Sequence, residues 1–170
     1  MDGHNVDIGE DNLKLYGRLH ASYSDIFHAN YCAKILLKKN MHGWPWSRRG
    51  TIYLQQKTFT TSLVVSYCRP FTRSKGWPNF PKEILNYDAG DWKLHESLLT
   101  TRHQIYAHSD SASYNFQPVS WPAIDTVITQ EPAFRLPSED ATRLCSMAAK
   151  VLPRIQERMT ELFAHKSHDI

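Results

Sequence analysis

The sequence predicts a single all-α domain in which four helices form an up-down bundle, and three observations support that fold class. Apolar residues recur at three- and four-residue steps through four long segments. Loops containing Pro and Trp separate those segments. The length of 170 residues is that of one domain, so positions 1–170 are predicted to fold as one unit.

The first predicted helix runs from Asp11 to Lys39, and the segment MHGWPWSRRG ends it with Gly and Pro. Lys38 and Lys39 suit the negative end of the helix dipole. Residues 1–10 and 166–170 are predicted to be flexible termini. The core-facing positions of this helix are expected to be Tyr16, Leu19, Tyr23, Ile26 or Phe27, Asn30 and Leu37.

The second predicted helix spans Thr51 to Cys68. Its run TFTTSLVVSY is rich in β-branched residues, so a strand is the competing interpretation. The periodic segment is too long for an ordinary strand, which favours a helix, and Pro70 ends it. Its predicted core positions are Ile52, Phe59, Leu63 and Tyr67.

The third predicted helix runs from Trp92 to Ala107, with Asp88 or Asp91 as its N-terminal cap. Its narrow core stripe comprises Leu94, Leu98, Thr101 and Ile105. Proline-rich sequence follows, and a connection of this length is either a functional loop or carries its own structure. A short β-hairpin around residues 125–134 is the structured alternative.

The last predicted helix runs from Ser138 to His165. Ser138 is its expected cap, the acidic residues Glu139 and Asp140 suit its first turn, and Pro153 is expected to kink it or remove one backbone bond. Its core stripe is predicted to be Leu144, Met147, Val151, Ile155, Met159 and Leu162.

The composition predicts a cytoplasmic protein that does not enter a membrane. The three cysteines are far apart and odd in number, which argues against a disulfide framework and a thiolate zinc site. The N-terminus MDGHNVDIGEDN is polar and acidic, unlike a signal peptide. No apolar run approaches the roughly 20 residues that a transmembrane helix needs.

The net charge of +3 is too small to establish a nucleic-acid partner, but the basic residues are clustered. Such clusters form either a solvated surface or a phosphate-binding surface. Both clusters lie near aromatic residues, as base-stacking surfaces do, although core Trp beside surface Arg explains the pattern equally well. The predicted RNA-binding residues are Arg48, Arg49, Arg69, Arg73 and Lys75, and Lys34, Lys38 and Lys39 extend the first cluster.

The segment TTRHQIYAHSDS concentrates chemistry at the end of the third predicted helix. Arg102 can hold a phosphate with a bidentate fork, and His108 titrates near neutral pH, so it can accept or donate a proton. This pair suits RNA cleavage by the RNA's own 2′-hydroxyl, a reaction that needs no metal ion or other cofactor. In one straight helix these two side chains would point about 120° apart. The chain must therefore bend after Ala107, or the residues must meet across an interface.

The segment resembles the R-[N/D/H]-x(3–5)-H motif of HEPN domains (higher eukaryotes and prokaryotes nucleotide-binding domains). The motif reads Arg102, His103, four further residues and His108, and the longer string LHESLLTTRHQIYAHSD looks like the branch associated with phage abortive infection. The resemblance implies a helical bundle and a homodimer with the motif at its two-fold cleft. It also implies a metal-independent endoribonuclease that acts in toxin–antitoxin or phage-defence systems of a bacterial cytoplasm, with an antitoxin or regulatory protein as a further partner.

On this resemblance Arg102 and His108 are the catalytic pair, and His103, Tyr106 and Asp110 support the motif. Toxins paired with nucleotidyltransferase antitoxins carry Tyr where this chain has Asp110, so modification at that position is not expected here. A non-catalytic HEPN-like module that binds RNA, nucleotide or protein is the alternative function, and a helical scaffold is a third.

Several residues of this segment also have simpler interpretations. Arg102 can instead pair with Glu83 or Glu96. A zinc site is a remaining alternative for the three histidines His95, His103 and His108.

Overall fold

The computed structural model describes residues 7–44, 47, 50–107, 115–130 and 133–164. The described chain is mostly helical, with four long helices and a two-stranded antiparallel sheet. A π turn continues the third helix over Arg102–Ala107. The elements are α1 (Glu10–Lys38), α2 (Thr51–Cys68), α3 (Ala89–Thr101), β1 (Asn115–Trp121), β2 (Ile124–Gln130) and α4 (Ser138–Ala164).

Helix α1 packs against both α2 and α4 and is the central element of the described fold. Its predicted stripe is confirmed at Leu19 and Ile26, which are fully or almost fully buried. The alternative to Ile26, Phe27, is 54% exposed, so that alternative is wrong. Burying each large apolar side chain contributes about 1.5–3 kcal/mol, so the inward face of α1 accounts for much of the stability of the core.

Helix α2 has the predicted bounds, and the competing strand interpretation is wrong. Leu63 and Tyr67 are buried as expected, but Ile52 in the first turn is 44% exposed. The first buried position of α2 is Gln56 instead. Its side-chain amide donates to the carbonyls of Gly43 and Phe134, at 2.8 and 3.1 Å. The start of α2 therefore packs against loop backbone, where a hydrogen-bonding side chain satisfies carbonyls that an apolar one would leave unpaired.

Helix α3 begins with a capping box that also joins it to α4. Asp88 is the N-cap, and its side chain accepts from the backbone N–H of Asp91. The Asp91 side chain accepts in turn from the backbone N–H of Asp88. Asp91 is almost fully buried and forms ion pairs with Lys150 at 2.5 Å and Arg143 at 3.2 Å on α4. Of the two predicted caps, Asp88 is therefore the N-cap, and Asp91 is the third residue of a helix that begins at Ala89 rather than at the predicted Trp92.

The third predicted helix ends differently from the expectation. Regular α3 stops at Thr101, and Arg102–Ala107 forms the π turn rather than continuing the α-helix. Leu94 and Leu98 are buried as predicted, and Thr101 is half-buried. The side chain of Ile105 lies outside the part of the chain whose side chains are described.

Helix α4 has its predicted start, and its described residues extend to Ala164, whereas the predicted last residue, His165, lies outside the described residues. Pro153 lies within it and is exposed. Because Pro has no backbone N–H, one helical hydrogen bond is missing, and this gap lies on the solvent-facing side of α4. The stripe is confirmed: the buried members are Leu144, Met147, Val151, Ile155 and Leu162, and Met159 is half-buried.

A hairpin occupies the proline-rich connection, but the predicted bounds of residues 125–134 are wrong. Its strands pair in register from Asn115 opposite Gln130 to Trp121 opposite Ile124, which leaves a two-residue turn. Pro118 lies inside β1. Since both strands of a two-stranded sheet are edge strands, a residue without an N–H is tolerated there. The proline content of this connection therefore indicated a loop at Pro118, where β1 forms instead.

Candidate functional site

Arg102 is the first residue of the π turn and continues α3 with helical backbone angles. Its backbone N–H donates to the carbonyls of Leu98 and Leu99, and its side chain is half-buried. The π turn packs against α2. Burial raises the pKa of the Cys68 thiol to about 12, and the nearby Arg102 guanidinium opposes that rise. Helical irregularities of this kind are frequent at functional sites.

The other motif residues are described only in part. His103 is exposed beside Arg102. The predicted residues His108 and Asp110, together with Arg48 and Arg49 of the first basic cluster, lie outside the described residues, as does the side chain of Tyr106. The convergence of Arg102 and His108 therefore stays a prediction.

The second basic cluster divides into two environments. Arg69 is ion-paired with Asp25 on α1, with an N–O distance of 3.2 Å. Arg73 and Lys75 are exposed in the segment that follows α2. Arg73 also lines a cleft that neither Arg69 nor Lys75 lines. Arg69 thus carries an ion pair and Arg73 lines the cleft, and the RNA-binding role of the three residues stays a prediction.

That cleft has a volume of about 740 Å³ and lies between α1, the segment joining α2 to α3, and α3 itself. We call it the α1–α3 cleft. Its lining combines cations with aromatic rings, and Glu83 is the one acidic residue in that lining. The residues that matter for its chemistry are Arg18, Phe71, Arg73, Lys82, Trp92 and His95.

Arg18 is a buried cation at the base of this cleft, and only 7% of it is exposed. Its Nη2 donates to the carbonyls of Pro70 at 2.5 Å and Thr72 at 3.0 Å. No hydrogen-bond acceptor for its Nε is found among the described residues. Burial lowers the pKa of Arg18 and Asp25 opposes this, but a guanidinium stays charged in proteins. The chain therefore holds a positive charge under the cleft that is bonded by backbone carbonyls.

His95 closes the inner wall of the α1–α3 cleft. Its Nδ1 lies 2.9 Å from the hydroxyl of Tyr67, and that hydroxyl lies 3.2 Å from the hydroxyl of Tyr87. The rings of Phe71 and Trp92 meet the imidazole edge to face, with centroids 4.6 and 5.3 Å away. Burial, with a smaller contribution from Lys82, lowers the pKa of His95 to about 4. His95 is therefore neutral at pH 7.

The cleft and the Arg102 segment share one face of the third helix. His95, Leu99 and Arg102 are spaced four and three residues apart, so they form one stripe along a helix. His95 and Leu99 line the cleft, and Arg102 follows one turn further on. Arg102 thus lies just beyond the end of the cleft.

Sequence reasoning missed Arg18, Lys82 and Trp92 as site residues, and considered His95 only as a zinc ligand. Arg18 carried a usable signal: it lies four residues before Ser22 and eight before Ile26, both on the buried face of α1. A charged residue at a core position is rare unless it is bonded or functional. The cleft itself carried no local signal, because its residues are brought together from three separate segments.

Two simpler interpretations of the Arg102 segment were an ion pair of Arg102 and a zinc site. Among the ion pairs of the described residues, none joins Arg102 to Glu83 or Glu96. Within the same part of the chain, no group of three His, Cys, Asp or Glu residues could hold a metal ion. The zinc alternative also requires His108, which is not described.

Comparison of the chain with models of known protein families, with curated proteins and with solved structures found no match. In the described segments, no helix has an apolar stretch of the length and hydropathy needed to cross a lipid bilayer.

Proposed function

We propose that this protein is a HEPN-type, metal-independent endoribonuclease that cleaves RNA through attack of the 2′-hydroxyl. One observation carries the proposal: Arg102 stands half-buried at the irregular end of the third of four helices, and no carboxylate of the described residues pairs with it. Its charge is therefore not committed to an ion pair there. The sequence places His103 beside it and His108 six residues further on.

The proposed chemistry divides between the two residues. His108, as the neutral imidazole, removes the proton from the 2′-hydroxyl, whose oxygen then attacks the adjacent phosphorus. The guanidinium of Arg102 stabilises the charge that grows on the phosphate oxygens. The bond to the 5′-oxygen breaks, the leaving oxygen takes up a proton, and a 2′,3′-cyclic phosphate remains. A two-fold dimer would bring two such segments together and form a catalytic cleft between the two protomers.

The biological role proposed with this activity is that of a toxin or phage-defence effector in a bacterial cytoplasm. The partners are an RNA substrate, a second copy of the chain, and an antitoxin or regulatory protein. Expression should then arrest growth, and His108→Ala should relieve the arrest. Growth arrest that persists in this variant would contradict the proposed role.

The direct test is RNA cleavage by purified protein in the presence of EDTA. Arg102→Ala and His108→Ala are each expected to lower the cleavage rate by about a hundredfold or more, because each removes a group that acts on the transition state. Arg158→Ala and His20→Ala are the matched controls. Arg158 is half-buried on α4, where its substitution removes an ion pair with Glu161, and His20 is exposed on α1. Equal cleavage by all four variants would refute the assignment.

A non-catalytic module that binds RNA or nucleotide is the second candidate. The α1–α3 cleft favours it, because that cavity is formed by described residues that do not include the motif histidines. Measurable RNA binding without cleavage of any RNA would support the module and contradict the enzyme.

A further inference from the structure

The α1–α3 cleft has a net positive lining. Arg18 is buried beneath it, while Arg73 and Lys82 are exposed at its rim. Against these three cations the lining contains the single carboxylate of Glu83. Carbonyl groups satisfy hydrogen bonds of a guanidinium but do not neutralise its charge. Asp25 stabilises the charged form of Arg18, but its carboxylate is already ion-paired with Arg69, so the buried Arg18 favours a further anion nearby.

The walls of the cleft suit a planar, partly apolar group. Phe71 and Trp92 are half-buried, so each retains ring surface outside the core. Phe80 lies deeper and is buried. The volume of about 740 Å³ lies within the range of roughly 300–1,000 Å³ that small-molecule sites occupy. Aromatic side chains next to cations are the means by which proteins bind unpaired nucleotides.

We propose that the α1–α3 cleft binds one nucleotide, with its phosphate toward Arg18, Arg73 and Lys82 and its base against Trp92 and Phe71. The nucleotide is either free or an unpaired residue of an RNA strand. The second source deepens the proposed function and rests on it. A strand with one nucleotide in the cleft would continue along the face of α3 toward Arg102, so the cleft would select RNA with an unpaired base next to the cut.

The test measures binding without cleavage. The ligands are AMP, adenosine and a short single-stranded oligonucleotide with 2′-O-methyl riboses, which cannot be cut by 2′-hydroxyl attack. AMP is expected to bind and adenosine to bind about tenfold more weakly or not at all, because adenosine lacks the phosphate. The double variant Arg73→Ala/Lys82→Ala should weaken AMP binding by about tenfold or more. Both positions are exposed, so circular dichroism should show an unchanged fold.

The matched control is Arg69→Ala/Lys75→Ala. It removes the same number of positive charges, both from the basic cluster that contains Arg73, but neither residue lines the cleft. Because neither side chain faces the proposed nucleotide, this control should leave AMP affinity unchanged. An equal loss of AMP affinity in the two double variants would mean that AMP is attracted to the basic surface in general, and would overturn the inference. Equal binding of AMP and adenosine would also overturn it.

The oligonucleotide separates the two sources of nucleotide. Competition between AMP and the single strand, absent for a duplex of the same sequence, assigns the site to unpaired RNA. If AMP binds but the single strand does not compete with it, the ligand of the cleft is a free nucleotide. The cleft would then have no part in RNA cleavage. Loss of RNA cleavage in Arg102→Ala with AMP binding intact keeps the two proposals distinct, because AMP binding does not require the motif.

Discussion

The hydroxyl of Tyr67 on α2 lies 2.9 Å from Nδ1 of His95 on α3, and both side chains are buried. This contact joins two helices whose connecting segment builds one wall of the α1–α3 cleft. Tyr87, whose hydroxyl lies 3.2 Å from that of Tyr67, extends the contact into a three-membered polar chain inside an aromatic cluster. Burial also raises the pKa of Tyr67, so its hydroxyl stays protonated at physiological pH.

Tyr67→Phe should lower the free energy of unfolding by about 1–3 kcal/mol, because it leaves the buried Nδ1 of His95 without its partner. Tyr87→Phe is the comparison: it removes the outer member of the chain and leaves the contact between Tyr67 and His95 in place. Urea unfolding at pH 7 measures both. A larger loss in Tyr87→Phe than in Tyr67→Phe would contradict the arrangement.

Stability should fall as the pH is lowered from about 6.5 toward 4. The folded-state pKa of His95 is about 4, below the ordinary value of 6.5, so the unfolded chain binds the proton more readily in this window. Above pH 6.5 the contribution of neutral His95 to the free energy of unfolding is therefore fully present. Below pH 6.5 this contribution is lost progressively, up to about 3 kcal/mol.

The measurement is urea unfolding at several pH values for the wild type and for His95→Gln, which cannot titrate. The difference between the two curves isolates His95 from the carboxylates that also titrate at low pH. Parallel curves across the window would show that burial does not shift the pKa of His95.

Asp91→Asn should destabilise the protein by about 1.5–3 kcal/mol, because the buried carboxylate bonds two cations of α4. Asp88→Asn is the matched control at an exposed position three residues earlier. Asn caps helices as well as Asp does, so that variant should change stability little. Thermal unfolding followed by circular dichroism distinguishes them, and equal shifts in melting temperature would mean that burial of Asp91 is unimportant.

Replacing residues 115–130 with a short Gly-Ser linker should leave the helical core folded. Every residue of 115–129 is exposed except Val119, which is half-buried, so the hairpin contributes little buried apolar surface. The melting temperature should change by no more than about 4 °C. A collapse of the helical circular dichroism signal would show that the hairpin supports the core.

Arg102→Lys should lower RNA cleavage by about tenfold or more, although the positive charge is kept, because Lys lacks the planar fork that holds two phosphate oxygens. Single-turnover cleavage with EDTA present measures this change. Full activity in Arg102→Lys would mean that charge alone suffices at this position.

The helices were largely predictable because their signals are local. The periodic stripe and the acidic first turn of α4 identified its start, and Asp88, one of the two predicted caps, is the N-cap of α3. The errors arose where packing overrode the local pattern. Ile52 continues an apolar stripe, yet it is exposed, and Pro118 lies in a strand.

Hydrophobic periodicity and helix-terminating residues alone thus determined the number and order of the helices and most of their core positions, because each signal is contained within a few turns of chain. The same local reading placed Arg102 within the last two turns of the third helix. The α1–α3 cleft required the tertiary structure: Arg18 is held by carbonyls 52 and 54 residues away, and His95 by a hydroxyl 28 residues away. Hydrogen bonding and desolvation by residues so distant in sequence leave no periodic pattern, so only the folded chain reveals a buried charge beneath an aromatic cleft.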